Sequence, residues 1–382
     1  MTASAYISGA AMTAFGKLPG FSSLDLQARA AEEALQESGL ARGDIDGLLV
    51  GYATTAPHLM PATRFAEAFG LRPSCAYGIS VGGATGLAMV ALARHLVAAG
   101  AARNVLVVAG ENRRSGQSGA SVTRTLSEVG DPLHEVPNGA SVPAYYALAA
   151  SEYMHRTGVS EEDLAELAVL MRRHAVATEG AQFRDPITVD DVMASRPIAT
   201  PLKLLDCCSV SDGGASVVVS GAPSGSRTAL RIAGTGESHR HQHMSSAPQD
   251  IAEGARIAAA AALRMSGHSI DQMGRAAIYD SFTITLMMLL EACGLSEPGG
   301  TAADARAGRF DRDGGTLPLN THGGLLSYGH SGVSGGLAHL VEMVRRMRED
   351  EASASSRTPL SFLHADGGVF SSHVSLVLEG GA

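Results

Sequence analysis

One pattern constrains this chain more than any other: its two ends carry the same succession of segments in the same order. Residues 230–234 (LRIAG) parallel residues 6–10, and residues 258–267 (AAAAALRMSG) parallel residues 30–39 (AAEEALQESG). Residues 332–347 parallel residues 82–96, each a small-residue turn followed by an amphipathic helix. The copies lie about 225–250 residues apart, too far for a solenoid and suited to a duplicated half-molecule. Each copy alternates strand-like and helix-like stretches. Residues 104–109 (NVLVVA) end at Gly110 and read as a central strand. Leu24, Ala28, Ala31 and Leu35 recur at helical spacing and stop at Gly39. This alternation predicts βαβ units around a mainly parallel or mixed sheet, hence an α/β chain whose halves stack as α/β/α/β/α.

The expected organisation follows. Residues 1–114 with 202–224 form one half, and residues 225–382 form the other. Residues 115–201 read as an inserted loop or lid subdomain, richer in charge, with a helix-capping pattern at Ser160. Forty-five glycines, 4% aromatics and no tryptophan suit closely packed backbones. With 29 basic against 38 acidic residues, the net charge of −9 argues against nucleic acid and anionic membranes as partners. Cys75, Cys207, Cys208 and Cys293 form no CxxC pair, so neither a disulfide framework nor a cysteine-rich zinc site is expected. The most apolar stretch, residues 82–110, is interrupted by Arg94, His95, Arg103 and Asn104, and no targeting signal is visible; cytoplasm is the default expectation.

Four blocks carry the chemistry. Residues 80–86 (SVGGATG) put a small-residue turn at a helix N-terminus, a seat for a nucleophile or a developing oxyanion. Residues 279–282 (YDSF) follow a strand-like run, where α/β active sites collect polar groups. Residues 320–336 are dense in glycine and set His330 just before a helix, which favours a neutral imidazole and suits a base. Residues 364–368 (HADGG) close a late strand and read equally well as a polar turn. The pattern GxSxG occurs at residues 78–82 and 332–336, but such matches are cheap in a glycine-rich chain. His239, His241 and His243 could converge from a strand or belong to a solvated loop; no further ligand sits at motif spacing, and no metal is expected. Arg172, Arg173, His174 and Arg184 are candidates for phosphate contacts, with solvated surface as the plainer account.

Together these blocks resemble the thiolase superfamily, especially the branch around sterol-carrier-protein-type thiolases and the thiolase-like aldolases. Residues 7–15, 177–205 and 208–214 extend the resemblance over nearly the whole chain. It implies the thiolase fold, two βαβαβαββ halves with an inserted loop subdomain. The family's catalytic cysteine falls at Ser80, and its thioester-binding Asn or His falls at Tyr279. The Gly-His motif keeps His330 but has Ser331 where proline is usual. The family's second cysteine falls at His364, with Asp366 in place of a glycine. Gly332, Gly335, Gly367 and Gly368 are expected to line the coenzyme A thioester.

These departures resemble aldolases that cleave a β-hydroxyacyl-CoA in the side chain of a steroid or other lipid, with no cysteine acyl-enzyme and no permanent cofactor. Coenzyme A enters as part of the acyl-CoA substrate. Tyr279 and Tyr328 are then the candidate base and acid, tuned by His330 or a helix N-terminus, with Ser80 positioning the thioester and His364 nearby. The resemblance also implies a homodimer and a small partner subunit with a zinc-ribbon and OB-fold. Two other readings stay open: an acyltransferase or atypical thiolase using Ser80 or another cysteine as nucleophile, and a non-catalytic subunit of a thiolase-like complex.

Overall fold

A computed structural model describes residues 4–118, 125–223, 230–353, 355 and 357–381. The first half runs β1 (Tyr6–Met12), α1 (Ser23–Ser38), β2 (Gly47–Gly51), α2 (Pro61–Phe69), β3 (Cys75–Ile79), α3 (Thr85–Ala98) and β4 (Asn104–Asn112). Then come α4 (Val142–Thr157), α5 (Glu161–Val176), a small ribbon of β5 (Pro197–Ala199) and β6 (Leu202–Lys203), and β7 (Asp212–Ser220), which closes that half. The second half runs β8 (Leu230–His239), α6 (Glu253–Ser266), β9 (Arg275–Ile278), α7 (Thr283–Ala292), α8 (Val333–Ala352), β10 (Leu360–Gly367) and β11 (Ser372–Glu379).

Among the described residues the strands order as β3-β2-β4-β7-β1-β8-β11-β10-β9. Strand β2 runs parallel to β3 and β4, and β9 parallel to β10; the other neighbours are antiparallel. The halves meet where Tyr6 faces Arg231 and Ile7 faces Leu230. Period-two alternation sorts the core. Leu106 and Val108 of β4 face the outer layer with Leu35, Phe65 and Phe69, while Val105, Val107 and Ala109 face the inner layer with α3 and α8.

The duplication is visible atom by atom. A side chain on Gly9 of β1 would run into the Ala34 carbonyl of α1 and come 3.0 Å from Ser38 Cβ. A side chain on Gly234 of β8 would run into the Ala262 carbonyl of α6 and come 3.0 Å from Ser266 Cβ. The inner helices are exchanged with the same symmetry. Arg94 of α3 donates to the Ile232 carbonyl of β8 at 3.1 Å, and Arg348 of α8 donates to the Ser8 carbonyl of β1 at 3.1 Å.

Two departures have physical causes. The third strand of the second half shrinks to one bridge, Leu319 on Ala276, because the Asn320 side chain takes over the pairing. Its Oδ1 accepts from Ile278 N–H (2.8 Å) and its Nδ2 donates to Ile278 C=O (2.7 Å). Residues 364–367 are not a turn after β10 but part of it. Antiparallel β11 pairs through to Gly367 and sets Ser375 and His373 opposite His364 and Asp366, and the two β11 side chains satisfy the buried His364 ring. The inserted stretch opens α5 with the expected Ser160 capping box and packs α5 against the turn at residues 324–328.

Candidate active site

Tyr279 stands one residue beyond β9, its N–H bonded to the His364 carbonyl (2.9 Å). The buried ring runs along Gly83, where any side chain would collide with the phenol oxygen. His330 arrives on a turn anchored from the same strand end. Buried Asp280 accepts from Leu325 N–H (2.7 Å) and Leu326 N–H (3.3 Å), and lies 3.2 Å from His339 Nε2. A side chain on Gly324 would collide with that carboxylate. Tyr279 oxygen and His330 Nε2 are 2.8 Å apart. Gly332 N–H donates to His330 Nδ1 (3.2 Å), so the ring proton sits on Nε2 and the Tyr279 oxygen accepts it. Burial, with Arg113 nearby, lowers His330 to about 3, so it stays neutral. Burial also drives the Tyr279 phenol well above 10, with Cys208, Asp366 and Tyr52 adding to the shift and Arg113 opposing it.

The other expected residues have different partners. Ser80 is exposed, in a groove of about 410 Å³ shared with Tyr52, His58, Tyr77 and Ile79, and nothing among the described residues hydrogen-bonds its hydroxyl. Tyr328 is buried and donates to the Thr13 carbonyl (3.2 Å). Its ring meets His322, which meets His339, which faces Tyr279 at 6.5 Å between centroids. His364 turns toward β11, with Nδ1 2.8 Å from Ser375 Oγ and Nε2 3.1 Å from His373 Nδ1. A side chain on Gly367 would collide with the Val81 carbonyl, and one on Gly368 with the Ser371 hydroxyl. A side chain on Gly335 would meet Leu325 and His330, and one on Gly332, itself at φ +65°, would meet Glu111 and Arg113.

The proposed phosphate contacts fasten the chain internally. Arg172 is buried and donates to Ser327 Oγ (3.0 Å) and the Asp185 carbonyl (2.9 Å). Arg173 pairs with Asp311, His174 accepts from Arg312 N–H (3.1 Å), and Arg184 donates to the Val176 carbonyl (3.2 Å). His239 contacts Glu237 (3.2 Å), His241 the Val369 carbonyl (3.3 Å) and His243 Asp131 (3.8 Å). No group of three or more His, Cys, Asp or Glu among the described residues could hold a metal, and no helix there is long and apolar enough to cross a membrane.

Several groups at the site were not singled out from sequence. At the end of β4, Glu111 and Arg113 form a buried ion pair, and Arg113 Nε donates to Thr54 Oγ1 (3.1 Å). Tyr52, just past β2, interacts with both Arg113 and Tyr279. The Tyr146 oxygen of α4 lies 2.8 Å from both Asp366 Oδ2 and the Gly368 carbonyl, and burial lifts Asp366 to about 8. Cys208 lies beside Tyr279, but burial pushes its thiol far up, so no thiolate is available there.

A duplicated α/β body with proton-bearing side chains gathered at its strand ends defines an enzyme of acid–base carbonyl chemistry. The chain belongs to the thiolase superfamily: the family description "Thiolase, N-terminal domain" matches residues 5–222, and "Thiolase C-terminal domain-like" matches residues 236–380. It is 32% identical to a 17-hydroxy-3-oxo-4-pregnene-20-carboxyl-CoA lyase of Mycobacterium tuberculosis, over 89% of this chain and 92% of that protein. It is 33% identical to a steroid side-chain-cleaving aldolase of Thermomonospora curvata, over 89% and 90%. An acetyl-CoA acetyltransferase of Methanocaldococcus jannaschii is 28% identical over 90% of both chains. The solved structure of an Ltp2-ChsH2(DUF35) aldolase superposes with a TM-score of 0.84 at 29% identity, over 99% of this chain and 98% of that one.

Proposed function

We propose that the protein cleaves a β-hydroxyacyl-CoA by a retro-aldol reaction, releasing a ketone or aldehyde and a shortened acyl-CoA, with no cysteine acyl-enzyme. The observation that carries this is the Tyr279–His330 pair. The imidazole gives its only proton to the phenol oxygen, which leaves the phenol's own proton to be donated. Tyr279, protonated across the neutral range, delivers that proton to the α-carbon of the enolate left by C–C cleavage. The phenolate it becomes is held by His330 Nε2–H and takes the proton that the β-hydroxyl gives up as its C=O forms, which returns Tyr279 to its starting state. A steroid or similar lipid side chain is the proposed acyl part, by similarity to the lyase and the aldolase named above.

In this scheme Ser80 positions the thioester from its exposed turn. Tyr328 supports the edge-on His322–His339 pair behind Tyr279, and His364 supports the polar interior of β10 and β11. Gly332, Gly335, Gly367 and Gly368 let backbone segments close around the site, coenzyme A entering only with the substrate. The division proposed from sequence is kept: residues 1–114 with 202–224, the inserted cover 115–201, and residues 225–382. A cytoplasmic homodimer and a small partner subunit complete the proposal. The edge of β3, unpaired among the described residues, with Tyr77 48% exposed beside Leu59 and Met60, supports a second copy. The aldolase with two named components supports a partner.

Incubating the chain, with any small protein that co-purifies, with a steroid-side-chain β-hydroxyacyl-CoA tests this by mass spectrometry. A ketone and a shortened acyl-CoA are expected without added free CoA, and Tyr279→Phe is expected to slow cleavage by about 100-fold or more. A product that forms only with free CoA, or an acyl group trapped on Ser80 or a cysteine, makes the protein an acyltransferase instead.

A further inference from the structure

Two stretches singled out from sequence, residues 177–205 and 208–214, hold neither member of the Tyr279–His330 pair, yet both close on the turn that carries His330. That turn has little to hold it from within. Gly323, Gly324, Gly329 and Gly332 all take positive φ, and each leaves the backbone more conformations to lose. Asp280 fixes the start of the turn through Leu325 and Leu326 N–H. Its end is fixed by Ser211, the residue before β7. Ser211 is fully buried and bonds both polar groups of the His330 main chain. Its N–H donates to the His330 carbonyl (3.0 Å), and its hydroxyl oxygen accepts from His330 N–H (3.0 Å). A backbone N–H can only donate, so the Ser211 proton goes elsewhere, to Gln182 Oε1 (2.6 Å). Gln182 Nε2 in turn donates to Ser209 Oγ (2.8 Å), which leaves each donor in the row one direction. Gln182 comes from the inserted stretch and lies along the turn: its N–H donates to the Tyr328 carbonyl (2.9 Å), and Phe183 N–H to the Ser327 carbonyl (3.1 Å).

We infer that Ser211, oriented by Gln182, is the positioning residue that holds His330 against Tyr279. The main chain of His330 is tied at its N–H and its carbonyl, and the ring is tied at Nδ1 by Gly332 N–H (3.2 Å). Nε2 is then left facing the Tyr279 oxygen at 2.8 Å. Without the Ser211 hydroxyl, the buried His330 N–H has no acceptor, and the turn must move to find one. Nε2 moves with it, and the Tyr279 phenolate loses the donor that holds it. A displacement of about 1 Å at a reacting group can cost about 100-fold in rate. No proton passes through Ser211, which acts on the reaction only through His330. Because Gln182 belongs to the inserted cover, the acid–base pair is set only while that cover is seated on residues 327–328.

This inference rests on the retro-aldol reading, and one set of measurements separates the two. Cleavage of a β-hydroxyacyl-CoA is followed for wild type, Ser211→Ala and Gln182→Ala, with melting curves as a folding control. The His330 Nε2 proton is followed by NMR in protein with isotope-labelled histidine, its signal assigned by its loss in His330→Asn. Ser211→Ala is expected to lower kcat by about 10-fold or more and Gln182→Ala by about fivefold or more, with KM within about twofold of wild type. In both variants the Nε2 proton is expected to exchange with solvent about 10-fold faster or more. A residue that only held the fold together would lower the melting temperature and leave kcat and the Nε2 proton as they are. If wild type cleaves and either variant keeps kcat within about threefold, or if kcat falls while the Nε2 proton exchanges as before, the inference falls and the retro-aldol reading stands. Should Ser211→Ala fail to fold, Gln182→Ala decides by the same limits. If wild type itself does not cleave, the retro-aldol reading falls and takes the inference with it.

Discussion

Asp366 keeps its proton at neutral pH because burial lifts it to about 8, in spite of the opposing contact with Tyr146. An unfolded aspartate titrates near ~3.9, so between about pH 4 and pH 8 the unfolded chain gives up a proton that the folded chain retains. The contribution is full below that window and is lost as pH rises through it, by about 1.4 kcal/mol per pH unit. Asp366→Asn keeps shape and neutrality and abolishes the slope. Its melting temperature is expected to gain on wild type from pH 5 to pH 8; parallel curves would refute the buried acid. At this scale Tyr279 and His330 were legible, since each sits where a strand or helix end concentrates polar groups. Tyr52, Glu111 and Arg113 obey the same rule at the ends of β2 and β4, but they carry no motif, and only the fold brings Tyr52 and Arg113 near Tyr279, with Glu111 paired to Arg113. Asp366 was hidden by the apparent turn HADGG, because its strand partner β11 and its contact with Tyr146 are long-range.

The elements show where small residues matter. Gly9 and Gly234 occupy equivalent places, each under a helix carbonyl that a methyl group would strike. Gly9→Ala and Gly234→Ala are each expected to lower stability by about 1–3 kcal/mol through overpacking, with similar losses in the two halves. Urea unfolding measures both, and a neutral substitution at either site would break the claimed equivalence. Matching segments in the sequence located the two strands and helices, but their strand match (230–234 on 6–10) sets Gly9 opposite Ala233; the helix contacts shift it by one residue and pair Gly9 with Gly234. The missing third strand of the second half could not be read that way. It is replaced by one asparagine side chain making strand-like bonds, and that leaves no trace in hydrophobic periodicity.

The whole molecule carries a set of histidines that burial keeps neutral. His330 is lowered to about 3, His174 and His373 each to about 4, and His322 and His364 well below 6.5. A free histidine titrates near ~6.5, so below that pH the unfolded chain takes up protons that the folded chain refuses. Stability is therefore expected to fall as pH drops from 7 to 5. Unfolding followed by calorimetry in buffers of different ionisation heat is expected to show uptake of several protons near pH 5.5; an uptake of zero would contradict it. The exchanged helices α3 and α8 have a consequence of another kind. Each half lends the other a lining, through Arg94 on β8 and Arg348 on β1, so neither can hide its inner sheet alone. A gene split between the halves would make two sticky fragments whose best match is each other, and activity would return only on mixing them.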